Sequence, residues 1–293
     1  MLRLPSLTQT QAGLALLFGG ILWGLFWIPV RLLGEAGLMG PWAGIAINSA
    51  GLLVIALLLL ITRTNVLAYW RVLLVSGAFA GTAFGLYTMS LAYTEVTKSI
   101  LLFYLTPVWS AILGRLFLGE KFTPARVIAL TLGLGGMIVI LGDKTGIPTP
   151  ENIGDWMALA SGVIWSIASL GLFKSEDIPI VGFMSAFLFG GLVLLLGVSV
   201  FIGLEPITLS VNSPLMFGLG MLALVTFYVL PMLWLTLYPA TLLSPVRVGL
   251  LLMSEVLVGL ASAALLSGEP FGWREAVGGA LIVSAAVFEI FRE

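Results

Sequence analysis

The feature that most constrains this chain is a succession of apolar runs, most about twenty residues long, separated by short polar breaks from one end to the other. Hydrocarbon offers a backbone no hydrogen-bond partner, so such a run crosses a bilayer as a helix whose N–H and C=O groups satisfy one another. Strands of an outer-membrane barrel would alternate in polarity over about ten residues, and these runs do not alternate. Of 293 residues, 60% are hydrophobic and only 9% charged, with a mean hydropathy of +1.14. That is more apolar surface than a soluble domain of this length could bury. The expected fold is therefore all-α and integral to the membrane.

Runs read at residues 12–30, 42–61, 72–93, 99–118 and 127–141, and again at 156–173, 180–203, 215–237, 241–266 and 276–291. This predicts ten transmembrane helices. The first run is longer than the apolar core of a cleaved signal, and no small-residue cleavage site follows it, so it reads as a span.

The segment LGEKFTPARVIALTLGLGGMIVIL at residues 118–141 recurs loosely as SGEPFGWREAVGGALIVSAAVFEI at 267–290. In each copy a Gly-Glu pair, Gly119-Glu120 or Gly268-Glu269, ends an apolar run. A Phe stands two residues on, and a Gly-containing apolar run follows. Repetition on this scale divides the chain into halves, residues 12–141 and 156–291, joined by the polar linker GDKTGIPTPENIGD at 142–155. Five spans per half turn the second copy upside down relative to the first. The expected architecture is thus a 5+5 inverted-topology repeat, an arrangement common among secondary transporters, which bind substrate near the midplane.

Placing both termini in the cytoplasm leaves Arg3, Arg63, Arg71, Arg115, Lys121, Arg126, Lys174 and Arg292 inside and Arg31, Lys98, Lys144 and Arg274 outside. Eight against four follows the positive-inside rule.

Composition also removes whole classes of function. Net charge is −1, with no histidine and no cysteine. Thiol and imidazole chemistry are absent, no basic face awaits a nucleic acid, and no Gly-rich loop followed by Lys-Ser/Thr cradles a nucleotide. No cofactor or metal is expected, and the acidic residues, scattered among loops, do not form the cluster that an enzyme acting on lipids would need.

Glu255 falls near the centre of the ninth span, where an ionisable group costs about 2.5–3.5 kcal/mol on insertion scales and so faces the bundle interior or a wet cavity. It serves either substrate and protons or the bundle's own hydrogen bonding. Arg247, two turns earlier, either shares Glu255's side of the helix or snorkels to the surface. Pro107 occupies nearly the place in the fourth span that Glu255 holds in the ninth, counted back from each Gly-Glu pair. Pro29, Pro231 and Pro245 mark further interruptions, read as candidate hinges together with Pro107, or else as static kinks. Trp23, Trp27, Tyr87, Tyr104, Trp165 and Tyr228 lie deep enough to line a pocket or to pack in the core, with Trp165 the counterpart of Trp23. Trp42, Trp70, Trp156 and Trp273 read as interfacial anchors. Gly77, Gly81 and Gly85, and Gly133, Gly135, Gly136, Gly278 and Gly279, read as close helix contacts, within the bundle or at a dimer interface.

Trp23-Gly24, the run LAYTEVTKSILLFYLTPVWSAIL at residues 91–113, and the Gly-Glu loop before a Gly-rich span resemble the EamA-type repeat of the drug/metabolite transporter superfamily. Trp165, Ser254-Glu255 and Gly268-Glu269 resemble its second copy. Within that superfamily the chain is similar to bacterial aromatic amino acid exporters. The resemblance implies a multi-pass protein of the bacterial cytoplasmic membrane, monomeric or homodimeric, that exports amino acids by alternating access. A zwitterion would need donors such as Asn48, Ser244 or Arg247 for its carboxylate and an acceptor such as Glu255 for its ammonium. Export of other small metabolites or xenobiotic cations, or a non-catalytic interaction role in the membrane, are the alternatives.

Overall fold

A computed structural model describes residues 7–94, 99, 102–121, 123–141, 150–173, 175, 177–202, 207, 209–210, 213–267 and 272–290. Most of the expected linker (142–149), the second Gly-Glu pair, and Arg3, Lys98, Lys144, Lys174 and Arg292 lie outside these residues. Among the described residues there is no strand. The helices are α1 (Gln9–Leu25), α2 (Trp27–Glu35), α3 (Pro41–Thr62), α4 (Trp70–Leu73), α5 (Phe79–Tyr93), α6 (Thr106–Leu118), α7 (Pro124–Leu141), α8 (Ile153–Leu172), α9 (Ile180–Ile202), α10 (Pro214–Leu224), α11 (Leu230–Leu242), α12 (Pro245–Leu252), α13 (Ser254–Ser267) and α14 (Trp273–Ile290). Several are pieces of one rod. Among the described residues, seven rods are long and apolar enough to cross a membrane: Gln9–Glu35, Pro41–Thr62, Leu67–Ser90, Ile153–Leu172, Ile180–Val200, Pro214–Leu242 and Pro245–Leu266. The protein is thus a multi-pass membrane protein.

Local chemistry sets the ends of these rods. Thr8 and Gln11 form a capping box ahead of α1, with Thr8 N–H donating to Gln11 Oε1 at 2.9 Å. Gly40, at φ 56°, turns the chain into Pro41, and Gly119, at φ 66°, ends α6, positions where a side chain would be strained. Asn152 caps α8, and Ser213 caps α10. The sequence placed the start of the ninth span at residue 241. Instead α11 runs on to Leu242, and the chain turns at Leu243 because Pro245 forces Ser244 into extended backbone at ψ 148°.

Solvation is inverted relative to a soluble protein. Leu53, Leu60, Val200, Phe227 and Leu265 are 69–85% exposed, as side chains that face lipid are. Buried contacts concentrate where helices from the two ends of the chain meet. α1 packs on α11 and α13, while α8 packs on α5 and α6. α3 and α5 both lie against α9, α7 lies against α14, and α6 lies against α12. Glycines set these distances. Gly136 and Gly278 face one another so closely that a Cβ on Gly136 would stand 2.5 Å from the Gly278 carbonyl. At Gly81 a Cβ would fall 1.8 Å from the Phe187 carbonyl. Gly135, by contrast, has open space beside it.

Two π-helical turns, Leu74–Ala78 before α5 and Val225–Val229 before α11, interrupt rods. Pro231 accounts for the second. It supplies no N–H to the turn before it, so the hydrogen bonds there re-register.

Because the contact at Gly81 is backbone against backbone, Gly81→Ala is expected to cost about 1–3 kcal/mol, the usual range for overpacking. Thermal unfolding of the detergent-purified protein should show a clearly lowered midpoint for Gly81→Ala and an unchanged one for Gly135→Ala. Equal midpoints would mean that α5 and α9 do not touch as described.

Candidate functional site

The site begins with two broken helices. The rod Pro245–Leu266 stops at Leu252 and resumes at Ser254, with Met253 between. Residues 102 and 103 are helical, Tyr104 and Leu105 turn, and α6 begins at Thr106 with Pro107 in its first turn. Pro107 explains the earlier break. Its ring is incompatible with the carbonyl of Phe103 in a regular helix, and the Thr106 hydroxyl donates to that carbonyl instead. The breaks fall at matched positions counted back from each Gly-Glu pair, as the sequence expected for Pro107 and Glu255.

Each break is wrapped by a helix that can approach only through glycine. Gly20 of α1 lies against the second, where a Cβ would stand 2.2 Å from Ser254 Oγ. Gly162 of α8 lies against the first, where a Cβ would stand 2.7 Å from the Phe103 carbonyl. Ser166 adds a hydrogen bond to the Thr106 carbonyl at 3.1 Å.

Between the breaks Tyr104 meets Glu255. The tyrosine hydroxyl donates to Glu255 Oε2 at 2.7 Å and lies 3.2 Å from the Leu252 carbonyl, which the second break exposes. A carboxylate and a freed carbonyl, both inside the helix bundle, thus share one donor. They open on a chamber lined by Trp23, Phe84, Tyr87, Phe103, Tyr104, Trp165, Phe187, Thr236, Leu252 and Glu255. Ring faces and edges connect most of it: Tyr87 to Phe103 at 4.6 Å, Phe103 to Tyr104 at 5.1 Å and Trp23 to Phe84 at 4.3 Å between centroids. Trp23 is held by its indole N–H, which donates to Thr236 Oγ1 at 2.9 Å. This lining contains Glu255 and no Lys or Arg.

A second chamber lies beyond Trp23, Phe84 and Phe187, which line both, and reaches exposed Gly40. Its walls are almost entirely apolar, with Asn48 and Thr88 among the few polar residues. Asn48 already donates to the Gly44 carbonyl at 2.8 Å. At the opposite end, Leu237, Leu243, Val246 and Leu250 are fully buried. There Glu120 and Arg126 pair at 2.6 Å, and Arg126 reaches Ser244 at 3.5 Å.

Of the residues singled out in the sequence, Trp23, Tyr87, Tyr104, Trp165 and Glu255 meet in the inner chamber, and Asn48 lines the outer one. The others lie elsewhere. Trp27 donates to Ser262 at 3.0 Å, and Tyr228 stacks on Phe26 and donates to the Leu22 carbonyl. Ser244 and Arg247 sit at the Gln9 end, where Arg247 bonds Gln9 at 3.0 Å, rather than beside Glu255. Pro29 follows the α1/α2 break at Phe26, and Pro245 is the first residue of α12, just after the turn from α11. Phe84, Phe103, Phe187 and Thr236 were missed, since a Phe or Thr inside an apolar run carries no signal of its own.

Residues 11–142 match the EamA-like transporter family. Over 178 residues the chain is 32% identical to the uncharacterized transporter YvbV of Bacillus subtilis, covering 59% of this chain and 57% of that protein. Over 96 residues it is 29% identical to the aromatic amino acid exporter YddG of Ancylobacter novellus, covering 32% of this chain and 33% of that one. The matches thus span little more than half the length of the first relative and a third of the second. A solved crystal structure superposes with a TM-score of 0.72 at 20% identity, covering 97% of this chain and 99% of that one. That likeness establishes a shared fold.

Tyr104→Phe removes the donor common to Glu255 and the Leu252 carbonyl, and leaving such groups unmet costs about 1–3 kcal/mol. A lowered unfolding midpoint in detergent is expected, with Tyr87→Phe as the comparison that changes little. Equal stability of Tyr104→Phe and the parent would show that this hydrogen bond is not made.

Proposed function

We propose, from the premise that residues 11–142 are an EamA-like transporter domain, that this protein is a secondary transporter. It exports amino acids, aromatic and other apolar ones foremost, across the cytoplasmic membrane by alternating access of two inverted halves. The observation that carries this reading is the inner chamber, where Tyr104 of the first half meets Glu255 of the second at two matched helix breaks, within aromatic walls. Discontinuous helices at the interface of repeats are where transporters of this kind bind substrate.

The packing supports the inverted repeat. If each span is exchanged with its counterpart in the other half, the contacts of α1 with α11 and α13 become those of α8 with α5 and α6. The contacts of α3 with α9 and α7 with α14 map onto themselves. With both termini cytoplasmic, Arg63, Arg71, Arg115, Lys121 and Arg126 lie inside. The Gly40 chamber then faces out, and the protein rests open to the outside.

In this reading the substrate ammonium pairs with Glu255 and displaces the Tyr104 hydroxyl. Its side chain lies against Trp23, Tyr87, Phe103 and Trp165. With no cation in the lining, the substrate carboxylate stays toward the wetter Gly40 chamber and Asn48. The same lone carboxylate favours a second reading, that apolar organic cations are carried as well.

Purified protein in liposomes is expected to take up aromatic and large apolar amino acids saturably, above protein-free liposomes. Glu255→Gln should slow uptake about tenfold or more, the effect of losing one charge-assisted hydrogen bond. Trp23→Ala and Trp165→Ala should each narrow or shift the preferred side chains. Uptake of organic cations without amino acids would select the second reading, and no uptake of either would overturn both.

A further inference from the structure

We propose that Phe84 is the gate between the two chambers and that its ring selects which side chains pass. The role rests on the transport reading above, although its test needs no transport.

Three residues line both chambers and so form the wall between them: Trp23, Phe84 and Phe187. Trp23 is anchored, since moving its indole breaks the 2.9 Å hydrogen bond to Thr236. Phe187 is 4% exposed, and its backbone lies in the tight seam against Gly81. Buried as it is, its ring has little free volume to turn into. Phe84 is half-buried and is held by its neighbours' rings: Trp23 at 4.3 Å, Phe26 at 5.9 Å, Phe187 at 6.1 Å and Tyr87 at 6.4 Å. Rotating it breaks no side-chain hydrogen bond and displaces no backbone. Of the three, it is the one that can open on the timescale of a side-chain rotation while the helices stay packed.

Selection follows from what the open gate gives up. Swinging Phe84 aside forfeits ring contacts to Trp23, Phe26, Tyr87 and Phe187, each a modest aromatic pair. A solute with an aromatic or large apolar side chain replaces those contacts as it passes. A small polar solute leaves them unmet, so the gate is more costly to open for it.

The chain contains no cysteine, so single cysteines report single places. Asn48→Cys lies in the Gly40 chamber only, and Leu252→Cys in the Glu255 chamber only. Purified full-length protein in detergent would be treated with a small charged methanethiosulfonate and the two modification rates measured. Asn48→Cys should react quickly and Leu252→Cys slowly. Adding Phe84→Ala should raise the Leu252→Cys rate about tenfold, the order expected from losing an aromatic pair, while the Asn48→Cys rate stays the same. Phe84→Leu, which keeps a packed side chain, should fall between. Should Phe84→Ala change both rates and lower the unfolding midpoint, Phe84→Leu decides, and an unchanged Leu252→Cys rate there overturns the gate. So does a Leu252→Cys as reactive as Asn48→Cys in the parent. Slow modification of Asn48→Cys itself would remove the Gly40 chamber and the gate with it, leaving amino acid uptake as the separate test of transport.

Discussion

Everything in this protein follows from the bilayer's refusal to hydrogen-bond a backbone. Rods of helix are the permitted form, and any break in a rod must find partners inside the protein. Two helices break inside the bundle, and their partners come from the breaks themselves and from the helix beside them. The Thr106 hydroxyl takes the Phe103 carbonyl, Ser166 takes the Thr106 carbonyl, and Tyr104 reaches across to the Leu252 carbonyl and Glu255. The second break is thus completed by a side chain from the first. A carboxylate that would be costly alone in hydrocarbon is placed where a donor already stands.

Glycine makes that geometry possible. Gly20 and Gly162 each stand three residues before a Trp, Trp23 and Trp165, and lie against the second and the first break respectively. A methyl group at either would strike Ser254 or the Phe103 carbonyl. Close packing of this kind replaces the hydrophobic effect, which cannot drive helix against helix where the solvent is itself apolar. The chamber between the breaks is what remains when rods held at glycine contacts diverge around aromatic side chains.

How much of this could be read in advance depended on whether a residue broke a pattern. Glu255 interrupts an apolar run with a charge and Pro107 with a missing donor, and both were legible because a membrane makes such residues costly. Trp23 and Trp165 were legible as a pair because the repeat aligns them. Phe84 and Phe187 are indistinguishable in sequence from lipid-facing Phe227, which is 80% exposed. Only the rotation of each helix separates them, and the rods carry no clear apolar face to reveal it, since lipid and core are both apolar. Arg247 misled for a related reason. Two turns of helix place it on Glu255's side, but the intervening break at Met253 and the pull of the surface carry its guanidinium to Gln9.

The two Gly-Glu segments differ most where charge, rather than shape, is involved. In the first copy the segment after the Gly-Glu pair carries Arg126, which pairs with Glu120 at 2.6 Å and extends to Ser244 of the other half. The matched residue in the second copy is Glu275, which turns back to accept the Gly272 N–H at 2.7 Å and so caps its own helix. The same position therefore crosslinks the halves at the Gln9 end and closes a single helix at the other. An ion pair with side chains only 13% and 17% exposed is screened less than one at an open surface and is costly to split. The Gln9 end accordingly has a polar tie between halves over its apolar seal. At the Gly40 end, by contrast, Trp23, Phe84 and Phe187 line both chambers, and Trp23 is tied by its hydrogen bond to Thr236.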